Sequence, residues 1–211
     1  YKNHDIESIK EFPKIVSETK GLMGFNITIP YKEEIIPMLD KLSKTAKIIG
    51  AVNCVTVSKK RKLKGYNTDY YGFKKSIKPL LKEHHKKALI LGTGGASKAV
   101  AYALRKLKIE YDFVSRTPDE FQFDYADLNA EVFEEYHIII NTTPVGTHPN
   151  VEDFPNLDYS LFTKKHIAYD LVYNPEETAF LKKAKEQGAK TKNGYDMLVF
   201  QAEKAWKIWN E

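Results

Sequence analysis

The chain has 211 residues, of which 42% are hydrophobic and 29% charged, a composition that excludes a disordered chain and provides a core for one large domain or two small ones. Its single cysteine, Cys54, excludes an internal disulfide and a thiolate-rich metal site, so we expect no metal and a reducing compartment, the cytoplasm. The net charge of +5 comes mainly from lysines scattered along the chain, a distribution that favours a solvated surface over a nucleic-acid interface.

The segment before residue 75 is predicted to be a small α/β unit. The alternating run Gly24–Ile29 indicates a strand, and Tyr31–Leu42, which follows Pro30, indicates a helix. The run "AVNCVTVSKKRKLKGYNT" indicates a β-hairpin with a basic turn near Ser58–Lys62. Residues Tyr70–Lys82 are predicted to be helical, and the polar stretch "KEHHKK" then marks a boundary.

Lys32 is unusual within the helix predicted over Tyr31–Leu42. Glu33 and Glu34 in the same turn complement the positive end of the helix dipole, whereas a lysine there opposes it. A cation that local structure disfavours raises the question of whether function retains it.

A different pattern begins at Ala88. A strand, a glycine turn, a helix and a second strand follow one another in "ALILGTGGASKAVAYALRKLKIEYDFVSRT", and two more apolar strands lie in "HIIINTTPVG" and "HIAYDLVY". This alternation predicts a parallel sheet with right-handed crossovers, and Tyr195–Trp209 predicts a final amphipathic helix.

The glycine turn "LILGTGGASKA" has the spacing of a dinucleotide-binding loop. Gly92 permits a tight turn, Gly94 lets a pyrophosphate approach the backbone, and Ser97 stands where a third glycine often occurs. The turn directly follows an apolar strand and opens a helix, as this fingerprint requires. An ordinary strand-to-helix turn is the alternative.

The second strand of such a unit ends near the adenosine ribose, where an acidic residue selects NAD and an arginine accommodates the 2′-phosphate of NADP. Here the strand ends in Ser115, Arg116 and Thr117. We infer NADP, with Asp119 and Glu120 as nearby charges that would weaken this preference by folding back. The alternative is that Arg116 is an ordinary surface residue.

The loop Asn141–Gly146, which contains Thr143, ends another strand at the same expected edge of the sheet. Ligands of open parallel sheets bind outside these carboxyl ends, so the loop is expected to pass under the cofactor. A plain turn is the alternative.

Reduction of a carbonyl by a nicotinamide needs a proton donor for the developing alkoxide, and Lys32 is a candidate, with Asp69 as the carboxylate that positions it. The alternative is a solvated Lys32 and an Asp69 that caps a helix. Polar residues near these two in the sequence are able to hold the hydroxyls of a small polyol acid: Asn26, Thr28, Asn53, Asn67 and Thr68.

Eight motifs occur in order between about Phe12 and Trp209: "NITIPYK", "GAVN", "GYNTDYYGF", "GTGGAS", "SRT", "NTTPVG", "YDLVYNPEET" and "NGYDMLVFQA". In this combination the chain resembles the shikimate dehydrogenase (shikimate/quinate dehydrogenase) family of aromatic amino acid and chorismate biosynthesis. The resemblance implies an oxidoreductase that reversibly reduces 3-dehydroshikimate to shikimate with NADP.

The resemblance also implies the fold class. We expect an α/β protein of two domains around a cleft: a Rossmann-like, doubly wound parallel sheet, and a smaller α/β substrate domain that the carboxy-terminal helix completes. The cofactor domain is assigned to residues 70–194, and the substrate domain to residues 1–69 and 195–211.

By the same resemblance, Lys32 and Asp69 are the catalytic pair. The substrate-binding residues are Thr28, Asn53, Tyr173 and Gln201. The cofactor-binding residues are Gly92, Gly94, Gly95, Ala96, Ser97, Ser115, Arg116, Thr117, Thr143 and Met197.

Three features depart from the family pattern. A first strand, a helix and a serine-containing loop for the substrate carboxylate are expected before Tyr1, which corresponds to the start of the second strand. Thr147 replaces a methionine near the nicotinamide, and Arg116 lacks a second basic neighbour. A quinate or aminoshikimate dehydrogenase and a catalytically silent dinucleotide-binding regulator are therefore the alternatives.

We expect a small-molecule substrate, no nucleic acid or membrane as partner, and a monomer or homodimer. No apolar run approaches the roughly 20 residues that cross a bilayer. Lys32 and Asp69 together argue against the regulator, because a sensor needs no proton donor.

Overall fold

A computed structural model describes all 211 residues, Tyr1–Glu211. The chain forms two compact units: the small unit, residues 1–68 with 203–211, and the large unit, residues 69–202. No helix is both long enough and apolar enough to cross a membrane.

The chain contains ten strands and seven α-helices. The strands are β1 (Gly24–Asn26), β2 (Lys41–Leu42), β3 (Cys54–Val57), β4 (Leu63–Tyr66), β5 (Lys87–Leu91), β6 (Glu110–Ser115), β7 (Gln122–Asp124), β8 (Ile138–Asn141), β9 (Ile167–Asp170) and β10 (Lys190–Lys192). The helices are α1 (Phe12–Glu18), α2 (Lys44–Ile49), α3 (Asp69–Ile77), α4 (Gly95–Leu107), α5 (Ala130–Glu135), α6 (Ala179–Glu186) and α7 (Tyr195–Asn210).

The six strands of the large unit form one parallel sheet. Their order is β10-β9-β8-β5-β6-β7, in which the chain starts at the central β5, moves outward through β6 and β7, and then crosses to the other side. This is the doubly wound order of the Rossmann fold, and it confirms the predicted fold class. Because all strands run in one direction, their carboxyl ends lie along a single margin, which we call the carboxyl edge.

Side chains of the central strands alternate between two apolar layers. In β8, Ile138 and Ile140 pack on one face with residues of α3 and α4, whereas Ile139 packs on the other face with residues of α5 and α6. These three side chains are fully buried, and each such burial contributes about 1.5–3 kcal/mol. Burial on both faces is the reason why the strand is a continuous apolar run in the sequence.

The small unit is built on a mixed sheet of order β1-β3-β4-β2. The strands β3 and β4 pair antiparallel and form the predicted hairpin. The end of α7 packs on this sheet, since the indole N–H of Trp209 donates to the Val55 carbonyl at 3.0 Å. Gly24 makes room for it, because a Cβ atom there would collide with the indole ring. The second half of α7, from residue 203 onwards, thus completes this unit.

The helix predicted over Tyr31–Leu42 is wrong. The chain forms turns there, followed by a single 3₁₀ turn at Ile36–Met38 and the strand β2. The physical reason is Pro37, which has no N–H to donate and disfavours the α conformation at the residue before it. Lys32 therefore does not lie in the first turn of an α-helix, and no helix dipole opposes its charge there.

Two further elements are shorter than the sequence predicted. The strand β1 ends at Asn26 rather than at Ile29, and α3 ends at Ile77 rather than at Lys82. A 3₁₀ turn that contains Pro79 follows α3, and a proline has no N–H with which to continue an α-helix.

Histidines gather at the margin of the large sheet opposite the carboxyl edge. The rings of His85 and His166 are held in one neutral tautomer, because each Nδ1 accepts a backbone N–H and each Nε2 faces a backbone carbonyl. The cluster is not arranged to hold a metal ion. Neighbouring ring centroids lie 4.1–5.4 Å apart in the series His85, His84, His137 and His166.

Burial makes this cluster a source of pH-dependent stability. Burial lowers the pKa of His85 to about 4, and burial also lowers the pKa of His137 and His166. Histidine in an unfolded chain has a pKa of about 6.5, so acid protonates the unfolded chain first. The stability that these residues contribute is complete above about pH 6.5 and is lost as the pH falls towards 4.

We expect His85→Gln to remove about 2 kcal/mol of the change in unfolding free energy between pH 7.5 and pH 5, because the variant has no imidazole to protonate. Urea titrations of the wild type and the variant at both pH values measure this difference. Titratable groups that both proteins share contribute equally to the two changes, so their contributions cancel. His148→Gln, on an exposed segment, is the matched control and keeps the wild-type change. Equal pH dependence in the wild type and His85→Gln would contradict the assignment.

Candidate active site

Gly92 makes the turn between β5 and α4. Its φ is +99°, a left-handed conformation that other residues rarely adopt. A Cβ atom there would also lie 2.9 Å from Thr143 Cγ2 and 3.1 Å from Thr142 Oγ1. The glycine is therefore required both for the turn and for the close approach of the loop after β8.

The turn leads into an open helix N-terminus. Gly94 is exposed, occupies the N-cap position of α4, and would direct a Cβ atom into open space. The N–H groups of the first residues, Gly95, Ala96 and Ser97, have no partner within the helix, so the helix end attracts anions. The Ser97 hydroxyl turns inward and donates to the Gly94 carbonyl at 2.6 Å. Backbone N–H groups and free space at Gly94 fit a pyrophosphate.

The predicted adenosine-phosphate residues follow β6 beside the Gly92 turn. The Gly92 N–H donates to the Val114 carbonyl at 2.9 Å, so the two strand ends are tied together. Ser115 is the last residue of β6, and its hydroxyl accepts the Thr117 N–H at 3.2 Å. Arg116 and Thr117 are exposed. The structure thus brings these residues to the same edge as the glycine turn.

Asp119 does not fold back onto Arg116. One of its carboxylate oxygens accepts the Phe121 N–H at 2.9 Å, and the other accepts a side-chain N–H of Gln122 at 2.6 Å. Arg116 forms no ion pair within the chain. Its guanidinium group is therefore available to an anionic ligand.

Thr143 lies in the loop that follows β8. Asn141, the last residue of β8, pairs with Leu91 of β5, so the loop starts next to the Gly92 turn. The Thr143 N–H and hydroxyl both donate to Asn141 Oδ1, at 3.0 and 2.6 Å. The Asn141 side chain thus fixes the conformation of Thr143.

The remaining predicted residues of the large unit lie after β9 and on α7. Tyr173 follows β9, and its side chain is 46% exposed. Met197 is buried in the same cluster as α3, and Gln201 donates to the Leu198 carbonyl at 3.0 Å. Gly72 of α3 allows this helix to approach, because a Cβ atom there would collide with the Met197 carbonyl oxygen.

Three strands of the small unit meet at one polar edge. Asn26 of β1 pairs with Cys54 of β3, which pairs with Tyr66 of β4. Asn53 and Thr68, just beyond these ends, are joined twice: Asn53 Oδ1 accepts the Thr68 N–H at 2.6 Å, and Asn53 Nδ2 donates to Thr68 Oγ1 at 2.9 Å. The register therefore gathers polar residues that are up to 42 positions apart, Asn26 to Thr68.

Backbone hydrogen bonds hold Thr28 and Lys32 at this polar edge. The Lys32 carbonyl accepts the Val52 N–H at 2.8 Å, and the Asn53 carbonyl accepts the Ile27 N–H at 3.0 Å. Thr28 is exposed and Lys32 is half-buried. The structure thus brings three predicted residues together, Thr28, Lys32 and Asn53.

Asn26 belongs to the same edge, as expected for one of the polar residues able to hold substrate hydroxyls, although the family resemblance did not name it as a substrate-binding residue. Its Oδ1 is buried and accepts no hydrogen bond, while its Nδ2 donates to the Tyr1 hydroxyl at 3.3 Å. A buried acceptor without a donor is costly, so a ligand hydroxyl that reaches it gains a hydrogen bond. The signal in the sequence is its spacing of two residues from Thr28.

Asp69 begins α3 in the large unit, whereas Lys32 lies in the small unit. Asp69 is buried, and its carboxylate is in a first helical turn, where the helix dipole stabilises a negative charge. The pairing of Lys32 with Asp69 stays a prediction.

We expect Gly94→Ala to weaken NADP binding at least tenfold while it changes stability by less than about 1 kcal/mol, because the new methyl group enters only the space that fits the pyrophosphate. Gly72→Ala is the matched variant and is expected to lower the unfolding free energy by about 1–3 kcal/mol, because its methyl group meets backbone. Calorimetric NADP titrations and thermal unfolding measure both. Unchanged NADP affinity in Gly94→Ala would reject the site.

The amino-terminal part of the chain matches a family model. Residues 1–55 match the model described as the shikimate dehydrogenase substrate binding domain.

Similar proteins extend over nearly the whole chain. Shikimate dehydrogenase (NADP(+)) of Caldicellulosiruptor saccharolyticus is 40% identical over 225 residues, which cover 97% of this chain and 78% of the relative. The crystal structure of shikimate dehydrogenase from Aquifex aeolicus superposes with a TM-score of 0.85 at 41% identity, over 96% of this chain and 78% of that one. The enzyme from Thermus thermophilus, in complex with NADP(H) and shikimate, gives a TM-score of 0.83 at 34% identity, over 96% and 78% of the two chains.

Proposed function

We propose, because the chain belongs to the shikimate dehydrogenase family, that it catalyses the reversible, NADP-dependent reduction of 3-dehydroshikimate to shikimate. The observation that carries this proposal is the extent of the similarity. It covers 97% of the chain, and so includes both the small unit with Lys32 and the large unit with the Gly92 turn.

In this proposal Lys32 is the proton donor and acceptor. Bound NADPH supplies the hydride. Lys32 donates a proton to the oxygen atom that becomes the alcohol, and it takes the proton back in the reverse direction. Asp69 orients the Lys32 ammonium group, because a carboxylate attracts a cation and accepts its N–H.

Polar side chains are proposed to bind the substrate hydroxyls and carboxylate: Thr28, Asn53, Tyr173 and Gln201. Two features of the small unit support this role. The exposed Thr28 hydroxyl makes no hydrogen bond within the chain, and Asn26 Oδ1 is an unused acceptor two residues earlier. A donor and an acceptor close together suit a substrate whose hydroxyl groups both donate and accept.

The large unit is proposed to bind NADP along its carboxyl edge. The space at Gly94 and the N-terminus of α4 suit the pyrophosphate, with Gly92, Gly95, Ala96 and Ser97 forming the turn. The exposed guanidinium of Arg116, flanked by Ser115 and Thr117, suits the 2′-phosphate. Thr143, in the loop after β8, and Met197, in the first turn of α7, are assigned to the nicotinamide half.

We expect the protein to act in the cytoplasm on this small molecule, as a monomer or homodimer. The single cysteine supports the compartment, and lysines that are scattered rather than gathered into a nucleic-acid interface support a small-molecule ligand. Sedimentation of the purified protein with and without NADP measures the oligomeric state.

We expect Lys32→Ala to lower kcat for shikimate oxidation by roughly 10²–10⁴-fold with a nearly unchanged KM, because the variant loses a group that acts in the transition state. Lys59→Ala, at the exposed turn of the β3–β4 hairpin, is the matched control and keeps the wild-type rate. Turnover of Lys32→Ala near the wild-type rate would contradict the assignment of Lys32 as the proton donor and acceptor.

A further inference from the structure

A buried carboxylate joins two loops at the carboxyl edge of the large unit. Asp170 is the last residue of β9 and is fully buried. Its Oδ1 accepts hydrogen bonds from Asn141 Nδ2 and from the Val172 N–H, both at 3.0 Å. Its Oδ2 accepts the Thr178 hydroxyl at 2.6 Å. One side chain thus contacts the end of β8, the turn after β9 and the start of α6.

The contact with Asn141 fixes which way that amide points, together with a longer bond of 3.3 Å from the same Nδ2 to the Val145 carbonyl. A carboxylate only accepts hydrogen bonds, so Asn141 must turn its Nδ2 towards Asp170. Its Oδ1 then faces the other way and accepts both the N–H and the hydroxyl of Thr143. Asp170 therefore controls Thr143, a predicted cofactor residue, through a single intermediate.

The contact with Val172 extends the same control to α7. The Val172 carbonyl accepts the Gly194 N–H at 3.1 Å. Gly194 lies directly against the backbone of Leu171, where a Cβ atom would collide. Gly194 immediately precedes α7, which carries Met197 in its first turn. The turn that Asp170 fixes thus also fixes where this helix starts.

Stability alone does not account for an acidic residue at this position. Asp170 forms no ion pair, and burial raises its pKa to about 6. An unpaired buried carboxylate costs free energy that an amide of the same shape would not cost. Asp170 is joined to two loops at the edge that fits the cofactor. Its cost in free energy is therefore explained by a role in positioning these loops.

We propose that Asp170 is a positioning residue for the cofactor: through Asn141 and Val172 it holds Thr143 and the start of α7 in the arrangement that receives the nicotinamide half of NADP. This proposal rests on the proposed NADP-binding function. Asp170 itself touches neither the cofactor nor the substrate in this mechanism.

The test compares NADP affinity in variants that break and restore the contact. Asp170→Asn places an N–H₂ group among three donors, so at least one hydrogen bond is lost. An Asn141 side chain that loses its bond to position 170 is held only by the 3.3 Å bond to the Val145 carbonyl. We expect its Kd for NADP, from titration calorimetry, to rise about tenfold and its kcat to fall, since a small displacement of a binding loop has effects of this size. Asn141→Ala removes the intermediate residue and is expected to give the same rise.

The exchange variant Asn141→Asp with Asp170→Asn tests the contact between positions 141 and 170 by itself. It reverses donor and acceptor: the amide introduced at position 170 donates to the carboxylate introduced at position 141, and that carboxylate still accepts from Thr143. The Val172 N–H and the Val145 carbonyl lose their partners in this variant, so we expect it to recover part of the NADP affinity that Asp170→Asn loses. Thr178→Val is the matched control: it removes the third contact and the α6 cap, so it lowers the melting temperature but keeps the wild-type Kd.

The NADP affinities of the variants decide the proposal. A lower melting temperature in Asp170→Asn or Asn141→Ala with an NADP Kd within twofold of wild type would show a structural role only and overturn it. An exchange variant that binds NADP more tightly than Asp170→Asn would support the route through Asn141. Wild-type protein that binds NADP but does not oxidise shikimate would refute the proposed reaction, yet the calorimetric comparison would still test Asp170.

Discussion

The parallel alignment of the strands in the large unit is the constraint on which its site depends. Leu91 of β5 pairs with Val114 on one side and with Asn141 on the other. The residues that follow these three positions therefore emerge side by side at the carboxyl edge. Gly92 and Arg116 owe their proximity to this register, since they are 24 positions apart in the sequence. An antiparallel strand in this sheet would place the loop that follows it at the opposite margin, where the histidines lie.

Some polar side chains satisfy one another, whereas others keep unused hydrogen-bonding capacity, and this difference separates positioning from binding. In the large unit, Asn141, Asp170 and Thr178 are fully buried and satisfy one another. Such groups have little capacity left for a ligand, so they act through the loops that they hold. In the small unit, Asn26 Oδ1 and the Thr28 hydroxyl keep unused capacity at the polar edge. They are groups that a substrate with several hydroxyls is able to satisfy.

The sequence predicted the features that repeat over many residues. The strands β5, β8 and β9 are buried on both faces and appear as apolar runs, whereas the three-residue edge strands β7 and β10 have no such signal and were missed. The helix predicted over Tyr31–Leu42 does not form because Pro37 interrupts it, and the expected conflict between Lys32 and a helix dipole is absent with it. The support for a catalytic role of Lys32 is the family and the position of Lys32 at the polar edge. The contact between Asn141 and Asp170 was not predictable, because only the register of β8 and β9 joins residues so far apart.

The most direct test of the proposed function is the rate of nicotinamide absorbance change with shikimate or quinate and with NADP or NAD, in all four pairings. We expect the highest kcat/KM for shikimate with NADP, because Arg116 suits the 2′-phosphate and the small unit suits the substrate hydroxyls. A preference for quinate with NAD would contradict both assignments. The absence of turnover in every pairing, in protein that is folded and binds NADP, would leave the fold and the glycine turn intact and refute the proposed chemistry.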